Sequence, residues 1–173
     1  MNKQIRFKKL IQTALLAALC FVSFTYLQIK IPVPGGDATS LHIGNTFCVL
    51  AALLLGGWYG GLAGAIGMTI ADLIDPVYII VAPKTFILKL CIGLITGLIA
   101  HKIAKIGESN DSKYIFKWSL IASIAGLAFN VIADPIVGFF YKQYILGQPQ
   151  DAAMILAKLS AATTFINAIV SVI

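Results

Sequence analysis

The chain has 173 residues, of which 59% are hydrophobic and 12% charged, and its mean hydropathy is +0.91. A soluble domain carries roughly 25% charged residues and keeps its apolar side chains on one stripe of each helix, so a soluble globular fold is excluded and an integral membrane protein is expected. The net charge of +6 does not point to nucleic acid, because the Lys and Arg residues lie between apolar runs rather than along one aromatic-lined face.

The first ten residues, MNKQIRFKKL, put Lys3, Arg6, Lys8 and Lys9 ahead of an apolar run. That run, residues 10–29, is too long for the apolar region of a secretory signal, and no small-residue cleavage site follows it. Helix 1 is therefore expected at about 8–30 and is expected to be retained. Within it, TALLAALC spaces Ala14 and Ala18 four apart, a small face suited to close helix packing. The next segment, KIPVPGGDATSLHIG, holds two prolines and three glycines with Asp, Thr and Ser. That composition resists helix and predicts an ordered outer loop over about 31–42, long enough to cover a site. His42 ends this loop beside Gly44 and Asn45, positioned either to touch a ligand or to meet an interfacial phosphate.

Helix 2, a short one, is expected at about 43–56, helix 3 at about 58–75 and helix 4 at about 83–104. GGWYGGLAGAIG contains Gly57-x-x-x-Gly61 and Gly60-x-x-x-Gly64, and helix 4 contains Gly93-x-x-x-Gly97, spacings that let helix backbones pack closely. Where helix 3 ends and helix 4 begins, MTIADLIDPVYIIVAPKTFILKL places Asp72, Asp75, Lys84 and Lys89 in otherwise apolar sequence, with Tyr78 in the turn, able to stack on a ring. A polar linker at about 105–114 follows, then helix 5 at about 115–144 with Asn130 and Asp134, and helix 6 at about 152–173 with Asn167. Lys102, Lys105, Lys113 and Lys117 flank the linker's GESNDS stretch. By the positive-inside rule they and the basic N-terminus are cytoplasmic, which six crossings satisfy. The expected fold class is an all-α integral membrane protein, a single bundle of six transmembrane helices over 1–173 with both termini cytoplasmic. Cys20, Cys48 and Cys91 lie singly in apolar segments, with no CxxC pair and no His at ligand spacing, so no metal or cofactor is expected.

At about 1.5 Å per residue, Asp72 and Asp134 reach the outer part of the membrane, the side on which Lys84 and Lys89 begin helix 4. An ionisable group there costs about 2.5–3.5 kcal/mol on insertion scales, so it faces a polar cavity or pairs with another. Two readings stand. In one, His42, Asn45, Asp72, Tyr78, Lys84, Asn130 and Asp134 line an outward ligand pocket. In the other, the ions form a structural cluster tying helices 3, 4 and 5 together, with Lys89 snorkelling to the headgroups. Asn45 and Asn130 can donate and accept at once, which suits a small neutral or zwitterionic molecule. Asn167 is expected only to bond a neighbouring helix.

The order of these strings resembles the substrate-binding, or S, component of an energy-coupling factor vitamin transporter. The likeness covers essentially the whole chain: the basic N-terminus before ALLAAL, the Pro/Gly-rich loop ending in HIGN, then LLLGGWYGGLAGAIG, IAD, APKTFILKL and FNVIADPIVG. It implies a six-helix subunit in the cell membrane that captures a vitamin or precursor from outside, with the 31–42 loop as its lid, and that topples to carry its pocket inward. It further implies two kinds of partner, a transmembrane coupling protein and two ATP-binding cassette ATPases, with Ala14 and Ala18 as the coupling face. The chain has no G-x-x-x-x-G-K-[ST] loop of its own to hold ATP phosphates. It ends at Ile173 within the expected last helix, without the basic tail the resemblance leads one to expect, which leaves a truncated chain or a helix ending flush with the membrane.

Two rival classes are weighed against this. A free-standing secondary carrier would also use membrane acids as proton sites, but one six-helix unit would have to dimerise or use partners. A membrane enzyme is suggested by Asp72-x-x-Asp75, yet Pro76 follows where the paired acids of lipid-headgroup transferases have glycine, and no catalytic constellation assembles. For the ligand, acids plus amides favour a small heteroaromatic of the pyridoxine or hydroxymethylpyrimidine type. Lys84 and His42 leave pantothenate next, unless Lys84 is neutralised by Asp72 or Asp75.

Overall fold

The computed structural model describes residues 3–33 and 37–172; the tip of the first loop, 34–36, and the chain end at Ile173 lie outside the described residues. Helix α1 runs Lys3–Tyr26, and the chain then turns into two antiparallel strands, β1 Gln28–Val33 and β2 Asp37–His42, paired from Gln28 opposite His42 to Val33 opposite Asp37. The fold is mostly helical as expected, but the ordered outer loop expected over about 31–42 is a β-hairpin. Ile29, Ile31 and Val33 are β-branched residues alternating with Lys30 and Pro32, a pattern that favours extended backbone, and proline is tolerated because a two-stranded ribbon consists only of edges. The last residues expected in helix 1, 28–30, belong to this hairpin.

Five more helices follow: α2 Gly44–Leu55, α3 Gly57–Ile74, α4 Ala82–Gly97, α5 Ser112–Phe140 and α6 Gln150–Val172. Helices α4 and α5 continue in π-helical stretches, Leu98–Ile103 and Tyr141–Ile145. The α2–α3 break falls at Gly56, whose φ of +93° L side chains rarely adopt. Among the described residues four helical stretches are long and apolar enough to cross a membrane: Lys3–Tyr26, Ile79–Ile103, Ser112–Ile145 and Gln150–Val172. Helix α2 has only 12 residues, about 18 Å at 1.5 Å each, and α3 is diluted by its glycines and Asp72.

The glycine motifs act as internal packing. A Cβ on Gly93 would stand 2.2 Å from Gly61 Cα, one on Gly97 2.1 Å from Gly57 N, and one on Gly60 2.2 Å from Ala52 Cα. Helices α2, α3 and α4 thus touch backbone to backbone, and Gly67 brings α3 equally close to the Ala17 carbonyl of α1. Large apolar side chains such as Leu15, Leu54, Ile87 and Phe116 face outward, while Asn45, Asp72, Thr96 and Asn130 are fully buried. This inversion of the soluble pattern is what a lipid surround and a polar interior site require.

Candidate functional site

Beneath the hairpin lies a cleft of about 860 Å³, its mouth included, walled by β2 and by α2 through α6. All seven sequence-predicted pocket residues, His42, Asn45, Asp72, Tyr78, Lys84, Asn130 and Asp134, line it. Asp75 does not. It sits on the outer rim, where Lys30 of β1 pairs with it and the Val77 N–H donates to its Oδ1 at 3.1 Å. The Lys30 ammonium also lies 5.4 Å from the centroid of the Tyr78 ring.

Lys84 is neutralised by neither Asp72 nor Asp75. Its Nζ donates to Asp134 Oδ1 at 2.9 Å, so the ion pair joins α4 to α5. The second oxygen, Asp134 Oδ2, accepts from the Ser160 hydroxyl and, at 3.3 Å, from Thr164, which brings α6 into the same cluster. Lys89 does not snorkel: it is 8% exposed, and its ammonium donates to Asn45 Oδ1 at 2.9 Å. Asp72 and Asn130 are each 1% exposed, and Asp72 Oδ2 and Asn130 Oδ1 have no hydrogen-bond partner among the described residues.

His42 closes the cleft from the hairpin side. Its Nδ1 accepts the Gly44 N–H at 3.2 Å, so the neutral ring carries its proton on Nε2, and Phe24 meets the ring edge-on at a centroid distance of 4.6 Å. Burial, reinforced by the positive Lys89, pushes the His42 pKa down to about 3, with Asp134 pulling the other way. The imidazole is therefore neutral at physiological pH.

Asn167 does bond a neighbouring element, but that element is the hairpin rather than a helix. Its Oδ1 accepts the His42 N–H and its Nδ2 donates to the Ser40 carbonyl, both at 3.0 Å, while Thr39 and Thr163 share a 2.6 Å hydroxyl contact. At the other end of β2, Lys142 pairs with Asp37. Asp37, Lys142 and the α6 hydroxyls were not singled out from sequence. Lys142 carried a usable signal, being a lone cation between apolar runs, and SAATT at 160–164 is a hydroxyl-rich patch in an apolar helix. On α1, Ala14 and Ala18 are exposed, whereas Thr13, Ala17 and Cys20 pack inward. Among the described residues no group of three or more His, Cys, Asp or Glu is arranged to hold a metal ion.

The family model described as ECF-type riboflavin transporter, S component, matches residues 4–173. Comparison with curated proteins finds no match. Among solved structures, ThiT from Listeria monocytogenes superposes with a TM-score of 0.62 at 17% identity, over 96% of this chain and 92% of that one, a likeness of fold.

Proposed function

The chain belongs to the family of ECF-type riboflavin transporter S components, and from that premise we propose that it captures a small heteroaromatic vitamin or precursor from outside the cell. The pyridoxine and hydroxymethylpyrimidine types stand first, and the family's description adds riboflavin to the candidates. What carries this reading is the cleft's charge. Lys84, Lys89 and Lys142 are matched by Asp37, Asp72 and Asp134 in one buried space beneath a hairpin, alongside the amides of Asn45 and Asn130. A balanced polar site suits a neutral or zwitterionic ring. It counts against pantothenate, since two of the three lysines are already paired with carboxylates.

In this reading the chain is one unit of six membrane helices in the cytoplasmic membrane, with both termini cytoplasmic and the hairpin as an outer lid. Uptake is driven by a transmembrane coupling protein and two ATP-binding cassette ATPases. Helix α1 docks through Ala14 and Ala18, whose small exposed side chains allow another helix to come close. The deciding experiment is a thermal-shift screen of the purified chain in detergent against water-soluble vitamins and their precursors. A ligand at a hundred times its dissociation constant adds about 2.7 kcal/mol. One heteroaromatic producing a large shift supports capture, and a folded protein that shifts with nothing in the panel counts against it.

A further inference from the structure

The cleft's polar groups are unequally committed. Lys84 is paired with Asp134, which also takes the Ser160 and Thr164 hydroxyls, and Lys142 is paired with Asp37. Besides the Tyr78 hydroxyl, which has no hydrogen-bond partner among the described residues, three buried groups from three helices are left over. Asp72 of α3 has a free Oδ2. Asn130 of α5 has a free Oδ1. Lys89 of α4 gives one hydrogen to Asn45 and is in no ion pair among the described residues.

Buried acceptors call for donors, and an ammonium with hydrogens still to give calls for an acceptor. Charge narrows the choice further. A phosphate or carboxylate could meet Lys89, but it would then lie beside the Asp72 carboxylate, which repels an anion and gives it nothing to bond. We propose that Asp72, Asn130 and Lys89 are the specificity-determining residues of this site. They select a nitrogen heterocycle of no net charge that presents N–H or O–H donors beside an oxygen or nitrogen acceptor, and they reject the phosphate ester of the same compound. The amino group and ring nitrogen of a hydroxymethylpyrimidine, the ring N–H and phenolate of zwitterionic pyridoxine, and the imide edge of riboflavin all have this form. The proposal rests on the capture reading above and adds the substrate's chemistry to it.

The test titrates the purified full chain in detergent with hydroxymethylpyrimidine, pyridoxine and riboflavin, each with its phosphate ester, and with pantothenate. A form of whichever parent binds with its N–H hydrogens fully replaced by methyl (the dimethylamino form for hydroxymethylpyrimidine), and so lacking that donor, completes the set. One parent is expected to bind, with its ester and its N-methyl form weaker by about 100-fold or more, the rejection typical of a site whose buried polar groups are left unpaired. Asp72→Asn and Asn130→Leu should each weaken the parent about tenfold or more, while changing the N-methyl form's residual affinity far less, a coupling that a purely structural role would not produce. The wild-type comparisons need no variant to fold. Tighter binding of a phosphate ester or of pantothenate overturns the specificity assignment and leaves capture standing, as does a bound parent indifferent to both substitutions. If the folded wild type binds no probe at all, capture fails and this assignment fails with it.

Discussion

Replacing Asn167 with leucine should loosen the hairpin over the cleft. Leucine keeps the branching at Cγ while replacing both polar atoms by methyls, so the change chiefly removes the two 3.0 Å hydrogen bonds to His42 N–H and Ser40 C=O. Ser40, His42 and Asn167 are all below 9% exposed, so with the hairpin shut both backbone groups would stay buried and unpaired. Each such group costs about 1–3 kcal/mol, a total of about 2–6 kcal/mol. The chain can avoid part of this by letting β2 lift so that water satisfies the two groups. Because Thr39–Thr163 and the Asp37–Lys142 pair remain, the hairpin lifts locally rather than detaching. At about 1.4 kcal/mol per factor of ten, even the low end raises the open population more than tenfold. Hydrogen–deuterium exchange of the peptide covering 28–45 should then quicken about tenfold or more, and bound ligand should leave faster with little change in its rate of arrival. If the hairpin amides exchange at the wild-type rate in the leucine variant, the clamp is not what holds this lid.

Two other expectations follow from the same structure. Gly97→Ala places a methyl 2.1 Å from Gly57 N, a clash with backbone that no rotamer relieves. The α3–α4 contact must spread, at a cost of about 1–3 kcal/mol, read as a lower melting temperature in detergent, and an unchanged melt would show the packing to be soft. His42 predicts a pH dependence. Its folded pKa of about 3 lies below the ordinary value of 6.5, so the unfolded chain gains a proton that the folded one cannot. Stability is therefore fully present above about pH 6.5 and is lost as pH falls toward 3, by up to about 1.4 kcal/mol per unit. Asn in place of His42 keeps an acceptor for the Gly44 N–H and does not titrate. Wild type should lose about 1 kcal/mol more than His42→Asn between pH 7 and 5.5, and parallel pH–stability curves would remove His42 from the account.

Much of this was legible because membrane sequence is blunt. The Gly57, Gly61, Gly93 and Gly97 spacings announce backbone contact, and the charges at Asp72, Lys84, Lys89 and Asp134 stand out against an apolar ground where each one has to be accounted for. The hairpin was hidden because its prolines and glycines read as loop, while its pairing depends on register across the 34–36 tip, which composition does not encode. The pairing of Lys84 with Asp134 instead of the nearer Asp72 or Asp75 was equally hidden. Sequence distance favours the acids of the preceding helix, but the bundle brings α5 against the start of α4. Asn167 was read as helix glue because an amide in a membrane helix usually bonds another helix, and only the fold lays β2 along α6.

The cleft itself follows from how two helices diverge. Lipid tails are as apolar as leucine, so helices in a bilayer approach closely where small residues let them, and polar side chains buried between them need partners or a polar space. Gly126 on α5 lets α4 in: a Cβ there would meet Thr96 Oγ1 at 2.1 Å and the Ile92 carbonyl at 2.9 Å. Three turns further along α5, Gly138 has only the end of the Lys84 side chain near it, at 3.4 Å. Between those two glycines α4 and α5 part, and the opening is lined by Asn130 and Asp134 on one side and Lys84, Thr85 and Lys89 on the other. The Lys84–Asp134 pair sits at the wide end, where it props the wedge open and neutralises itself, so that α3 and α6 can complete the walls without bringing an unpaired charge to lipid. Ion pairing and an open polar cleft are therefore compatible in this bundle. The pairs hold the cavity apart, and inside it Asp72 Oδ2 and Asn130 Oδ1 have no hydrogen-bond partner among the described residues, while Lys89 has Asn45 but no carboxylate.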